Sequence, residues 1–323
     1  MGNAPTQVHP LQPADSTVSA PQPNFQAPNS ASSAQIEPAD TWSASVATEA
    51  DLSQAQPLEA QPLRWRWEVM LVTLMLHLAA LLAFLPQFFS WRAVGVAALL
   101  YSITIGLGIS LGFHRLASHR SLKVPKLLEY FFILCGTLAA QGSVKGWVGY
   151  HRMHHLYTDN AKDPHASTKG FLWSHLTWVM HDIPDEPERL RLTKDIANDP
   201  FYTFCHKYHT ALQVALGLGL YAIGGMPFVV WGIFVRVVVG FHSTFFVNSV
   251  CHMFGYRSHN TPDTSTNNWW VALLTFGEGW HNNHHAAQFS ARFGTRWWEM
   301  DMVWWVIRGL ESLGLATQVK RAR

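Results

Sequence analysis

The stretch WVGYHRMHHLYTDN places three imidazoles within five residues, at His151, His154 and His155. GWHNNHH repeats the spacing at His281, His284 and His285, and HRLASH sets His114 and His119 five apart. Imidazole is the commonest metal ligand among side chains. On a helix, residues three and four apart share a face, so each H-x2-H-H should project its three rings together. Residues five apart diverge by about 140° on a helix of 3.6 residues per turn. For His114 and His119 that suits a helix end whose two ligands reach different metals. Eight imidazoles exceed what one ion accepts, so two metals are the economical count. Imidazole suits iron, zinc, copper and nickel alike, so ligand type leaves the element open. The chain has no H-E-x-x-H, which argues against a zincin protease. Lone histidines usually serve as ordinary hydrogen-bonding residues, and His9, His77, His206, His209, His242 and His259 are assigned that role.

Such clusters need rigid elements to hold them, and here those elements are apolar. Of 323 residues 48% are hydrophobic and only 14% charged, against a usual charged quarter. The net charge of +2 suggests no nucleic-acid partner. Four runs approach the roughly 20 residues that cross a bilayer core of roughly 30 Å: about 69–89, 93–113, 211–230 and 231–250. The first two are split by SWR and the last two meet near GGMP, so each pair reads as a helical hairpin, with Pro227 suited to a helix start. Arg236 inside the last run is costly in lipid and should face protein, water or a headgroup. A shorter run, LLEYFFILCGTLAAQG, holds Glu129 and reads as a buried or in-plane helix. Arg64 and Arg66 precede the first run and Arg115, Arg120, Lys123 and Lys126 follow the second, while only Arg92 lies between. By the positive-inside rule the N terminus, the long middle region and the C terminus are then cytoplasmic. All three histidine boxes fall on that side, beside membrane helices. A paired-metal site with apolar walls favours oxygen chemistry on a lipid chain.

Residues 1–62 contain no Lys or Arg and are rich in Ala, Ser, Pro and Gln. They carry too little apolar mass for a core and read as a disordered tail, with 63–323 as one domain. The tail lacks the basic region and apolar run of a secretory signal. Six acidic residues, Asp15, Glu37, Asp40, Glu49, Asp51 and Glu59, argue against a transit peptide. Cys135, Cys205 and Cys251 are scattered and odd in number, which reads as free thiols in a reducing compartment. Their spacing suits no iron–sulfur cluster.

With these motifs in place, GFHRLASHRS, DPHASTKGFLWSH, VNSVCHMFGYR and FGEGWHNNHHAAQFSAR together resemble the membrane fatty acid desaturase family. The likeness runs from about Arg64 to the C terminus and is strongest to the Δ9 branch of cyanobacterial acyl-lipid type. The resemblance implies an all-α integral membrane fold: four transmembrane helices under a cytosolic helical cap that holds a di-iron centre. The implied ligands are His114, His119, His151, His154, His155, His281, His284 and His285. NSVCH matches the family's N-x3-H, which adds His252 as a ninth ligand and gives Asn248 a water on one iron. Without the resemblance, His252 stood evenly between ligand and ordinary residue. Gln141, Trp147 and Thr244 match residues that bend the substrate tunnel. Phe245 replaces the usual Trp after that Thr, which changes the packing there. Asp163, His165 and His175 fit roles behind the ligands, since ligating imidazoles need partners that fix their tautomer; a structural turn explains Asp163–Pro164 about as well.

The implied reaction uses two irons and O2 to take a hydrogen atom from each of two adjacent methylenes at Δ9 of a C16 or C18 acyl chain. Electrons come from a separate protein, ferredoxin by the cyanobacterial likeness or cytochrome b5 in a eukaryotic host. The membrane would be plasma or thylakoid in a cyanobacterium. The acyl-CoA branch has an Arg-Asp pair before H-x2-H-H, where this chain has Gly149 and Tyr150. It has a double Arg after D-P-H-x-S, where this chain has Thr168 and Lys169. Phosphate contacts want Arg or Lys, so a glycerolipid-bound chain is favoured over acyl-CoA. A related di-iron hydroxylase and a non-catalytic histidine-rich metal carrier are the competing readings; product analysis and iron stoichiometry separate them.

Overall fold

The computed structural model describes residues 1–2, 63–183 and 186–322. The tail expected as disordered lies outside the described residues, apart from its first two. The described residues are mostly helical, with connecting loops and one antiparallel pairing of two short strands, β1 (Arg64–Trp65) and β2 (His181–Asp182). That pairing is a small departure from the all-α expectation.

Helix α1 (Trp67–Ala80) is apolar on nearly every side, and Leu71, Val72, Leu74, Met75 and Leu78 are exposed. A helix that is apolar all round needs a core or lipid to cover it. It runs on as a tight turn to Phe84 and stops where Leu85 is extended. The expected span to Phe89 is therefore shortened, because Pro86 has no N–H to continue the ladder.

Helix α2 (Trp91–Tyr101) continues as a wide helix over Ser102–Ser118, 28 residues in all. This overruns the expected 93–113 and carries His114 within it. Helix α3 (Lys126–Thr137) is the shorter apolar run, and its Phe132, Ile133, Cys135, Gly136 and Thr137 are buried. It lies against the wide helix so closely that a Cβ on Gly108 would stand 2.3 Å from the Gly136 nitrogen, and one on Gly112 2.7 Å from the Phe132 oxygen. Small residues four apart permit such backbone contact.

Helix α4 (Val144–Tyr157) begins at Ser143, whose Oγ accepts from Gly146 N, and carries the second histidine box. Short helices α5 (Phe171–His175), α6 (Glu186–Leu192) and α7 (Lys194–Ala197) follow. Helix α8 (Pro200–Val229) starts with Pro200 in its first turn and an Asp199 cap, both favourable at a helix start. A wide turn over Val230–Val235 joins it to α9 (Arg236–Ser249) and then to a turn at Val250–His252. This apolar run of 53 residues is broken at Gly225, with φ 66° and ψ −161°. The division falls at Gly225, inside the GGMP junction where the two runs were expected to meet, so the approximate bounds 211–230 and 231–250 run a few residues late. Glycine tolerates the positive φ, and Pro227 cannot donate back across the break.

Three helical runs, Trp67–Phe84, Trp91–Ser118 and Pro200–His252, are long and apolar enough to cross a membrane. Arg236 is buried within protein and donates to Gly232 O, Thr104 Oγ1 and Leu138 O at 2.6, 3.1 and 2.8 Å. Helices α10 (Trp269–Leu274), α11 (His281–Ala286) and α12 (Met302–Ser312) complete the chain.

Candidate metal centre

Nine histidine side chains converge into two adjoining pockets. His114, His119, His151, His155 and His284 form one; His154, His252, His281 and His285 form the other, with each pocket's ligand atoms within 4.8 Å of one another. The rings meet tip to tip. In the first, His114 Nε2 lies 3.0 Å from His284 Nε2, which lies 2.9 Å from His155 Nε2, and His119 Nε2 lies 2.7 Å from His151 Nε2. In the second, His285 Nε2 lies 3.3 Å from His154 Nε2 and 3.0 Å from His281 Nε2, which lies 3.1 Å from His252 Nε2.

Behind several rings, Nδ1 faces a carboxylate. It therefore carries the proton and leaves Nε2 as a bare lone pair. Lone pairs aimed at one another at such distances repel unless a cation stands among them, so the donor set fits a metal. Burial, reinforced by neighbouring imidazoles, holds His119, His151, His154, His155, His281 and His284 well below the usual histidine range. The neutral form that this favours is the one that ligates.

Two expectations are corrected. His114 and His119 share a pocket and do not diverge, because the segment is wound as a wide helix. His119 N donates to His114 O at 3.1 Å, five residues back, so residues five apart sit one above the other with ring centroids 4.8 Å apart. The H-x2-H-H trios do not project into one place either. In each, the i, i+4 pair enters one pocket and the middle histidine the other. Three residues turn the helix by about −60° and four by about +40°, a spread wide enough to serve two sites.

Arginines and asparagines fix these elements. Arg152, fully buried, donates to Ala117 O and Ser118 O at 2.7 and 3.0 Å and pairs with Asp195 at 2.7 and 2.8 Å. It therefore caps the carbonyls at the end of the wide helix and ties the first box to the second. Arg115 joins Asp301 and Glu278 at 3.0 and 3.3 Å. Helix α11 has only six residues, too few to persist alone. The two asparagines inside its box pin it: Asn282 Oδ1 accepts from Ser258 N and His259 N, and Asn283 Nδ2 donates to Phe293 O.

Of the residues expected behind the ligands, Asp163 faces His154 Nδ1 at 3.0 Å, and His165 lies over the His154 ring at 4.3 Å. Burial lowers His165 to about 3 and raises Asp163. His175 is a correction: it touches none of the nine. Its nitrogens face Ser249 Oγ at 3.0 Å and His242 Nδ1 at 2.9 Å, and His242 in turn meets His77 at 3.0 Å. His77 and His242, assigned ordinary roles, thus form a row with His175 a few turns from the centre.

Sequence reasoning missed three carboxylates. Glu278 binds His114 Nδ1, Asp263 faces His285 Nδ1 at 2.8 Å, and Asp159 lies 3.6 Å from His252 Nδ1. Burial works to raise Asp159 and Asp263, but hydrogen bonds with their histidines win and hold both far below the usual carboxylate range. The signal was present: Glu278 stands inside GEGWH, and Asp159 ends the turn after the second box.

The three tunnel candidates come together. Gln141 Nε2 donates to Thr244 Oγ1 at 2.7 Å, and Trp147 Nε1 donates to Gln141 Oε1 at 3.3 Å. Trp147 then stacks on His151 at 5.1 Å, so the triad touches the centre directly. Phe245 packs near Phe241, His175 and Trp178. Asn248 sits half-buried one turn before His252. At the headgroup positions, Lys169 lies over the Trp173 ring at 5.0 Å and Arg189 over Tyr150 at 4.6 Å.

The chain is similar to proteins of known activity. It is 59% identical over 270 residues to the sn-1 stearoyl-lipid 9-desaturase of Synechocystis sp., covering 83% of this chain and 85% of that protein. To the protein of the same name from Anabaena variabilis it is 58% identical, covering 79% and 94%. To the icosanoyl-CoA 5-desaturase of Limnanthes douglasii it is 48% identical, covering 76% and 70%. Residues 89–317 match the fatty acid desaturase family model, which takes in all three histidine boxes and His252. The chain belongs to the fatty acid desaturase family.

Proposed function

We propose that this chain is an oxidoreductase that uses O2 to place a cis double bond at Δ9 of a saturated C16 or C18 chain held in a glycerolipid. The observation that carries the reading is the convergence of nine imidazole tips, eight of them on buried residues, into two pockets beside the Gln141–Thr244–Trp147 triad. Two irons fit these pockets, with Asn248 holding a water at the four-imidazole one. Bound there, they would supply the strong oxidant that unactivated C–H bonds demand. The chain's own residues do the rest. The nine rings hold the ions, the carboxylates fix ring orientation, and buried walls keep bulk water out. The triad bends the path of the acyl chain so that one pair of carbons stops beside the five-imidazole pocket.

The architecture we infer has four passes, counting the two arms on either side of Gly225, with both termini and the histidine boxes cytoplasmic. Residues 63–323 form the catalytic domain and 1–62 a tail. A separate one-electron carrier, ferredoxin by the cyanobacterial likeness, supplies reducing equivalents. The lipid-bound substrate is favoured by the higher identity to stearoyl-lipid enzymes than to the CoA enzyme. It is favoured also by the absence of the phosphate-binding Arg pairs. Each lost charged hydrogen bond removes about 1.5–3 kcal/mol, and about 3 kcal/mol in total weakens a CoA headgroup's hold by about a hundredfold.

Expression in a desaturase-free host, with analysis of fatty acids by lipid class, tests the reading. It should yield Δ9 double bonds in both 16- and 18-carbon chains of membrane lipid. An alcohol product would make the chain a hydroxylase. Purified protein that turned over stearoyl-CoA but no glycerolipid would reverse the substrate assignment.

A further inference from the structure

The two pockets differ in what stands behind their rings. In the four-imidazole pocket three of four rings face a carboxylate: His154 faces Asp163 at 3.0 Å, His285 faces Asp263 at 2.8 Å, and His252 lies 3.6 Å from Asp159. These carboxylates are themselves tethered. Thr264 donates to Asp159 through N and Oγ1 at 2.7 and 2.8 Å, and Ser265 donates to Asp263 through N and Oγ at 3.0 and 2.5 Å. In the five-imidazole pocket the one carboxylate so placed among the described residues is Glu278, behind His114; Arg115 stands 3.3 Å from it and 3.0 Å from Asp301. His155 and His284 here, like His281 in the other pocket, leave their Nδ1 atoms buried without a hydrogen-bond partner among the described residues.

We propose that the two metal positions are held by different means. The four-imidazole pocket grips its ion through the charge of Asp159, Asp163 and Asp263, relayed by the imidazoles. The five-imidazole pocket relies on its extra ring, with a single carboxylate, Glu278, found behind its rings among the described residues. A carboxylate behind an imidazole fixes the ring and raises its basicity, and removing one typically costs 10–100-fold in metal affinity. The negative charge also offsets a buried cation where water does not. The four-imidazole position can therefore be emptied by neutralising its aspartates while the other stays filled. These aspartates are positioning residues: they act through the imidazoles. The inference rests on the di-iron reading above.

The test uses the full chain, reconstituted with 57Fe and challenged with graded chelator, with iron counted per chain and followed by Mössbauer spectroscopy. The unmodified protein should hold two irons with two distinct signals. Asp263→Asn should weaken one of them about 10–100-fold and leave the other signal unchanged, and Asp163→Asn should spare that same signal. Asp263→Glu should restore the lost iron. Melting of the metal-free forms checks that the variants fold, and Asp163→Asn alone decides the matter if Asp263→Asn does not. Equal weakening of both irons, or no weakening, overturns the proposal. An unmodified protein that binds fewer than two irons overturns the di-iron reading instead.

Discussion

The five- and four-imidazole pockets draw on the same repeated box, yet they are not copies of one another. The second box sends His151 and His155 to the first pocket and His154 to the second, while the third box sends His284 to the first and His281 and His285 to the second. To that reciprocal exchange the wide helix and the residue that caps it add two rings on one side, His114 and His119, whereas the turn after α9 adds only His252 on the other. The carboxylates are distributed the opposite way. A repeated motif thus gives two sites with different ring counts and different charge, because neighbouring elements complete each site.

The largest effect that could break this comparison comes from the rings. His154→Ala leaves the second pocket three imidazoles and His284→Ala leaves the first four, and each should abolish double-bond formation. Fatty acid analysis in a desaturase-free host reads the outcome, and full activity in either variant would show that the pocket concerned is not needed. Next comes Arg152→Met, which strands the Ala117 and Ser118 carbonyls and one face of Asp195. Removing one partner of a buried ion pair costs about 3–5 kcal/mol, so thermal unfolding should move down by several degrees. An unchanged transition would mean that the end of the wide helix, and with it the five-imidazole pocket, is held by other contacts.

Thr244→Val should act more gently. It removes one hydrogen bond, about 1 kcal/mol, from the triad that leans on His151 in the five-imidazole pocket. The expected result is slower turnover with a minority of double bonds shifted from Δ9, read by gas chromatography. Undiminished, wholly Δ9 product would dissociate the triad from regiochemistry. The smallest effect is expected from His175→Ala. Since His175 touches neither pocket, iron content should be unchanged and desaturation measurable. Loss of iron in this variant would tie the row of His77, His242 and His175 to the centre.

Much of this molecule was legible before folding. The three boxes named eight candidate ligands by spacing, and likeness to the family contributed His252 and the set of Gln141, Trp147 and Thr244, which the fold brings together. The apolar runs gave the helices, with errors at their ends. Phe84 ends a helix expected to reach Phe89 because Pro86 follows, whereas the break at Gly225 falls inside the GGMP junction expected between the last two runs. Local chemistry governs such boundaries: GGMP marked the second one, and closer attention to Pro86 would have marked the first.

What the sequence by itself determined is the inventory: which side chains could hold ions, how many ions they suit, and which runs are apolar. Tertiary structure decided the allocation. Whether His114 and His119 meet or part depends on helical winding, and an ideal helix gave the wrong answer because the segment is wound with bonds five residues back. Which carboxylate stands behind which ring could not be read from spacing either. Asp263 and His285 are 22 residues apart, and Glu278 and His114 are 164 apart. Spacing along one helix fixes directions within that helix, but the partner of each ring comes from whichever segment packs behind it.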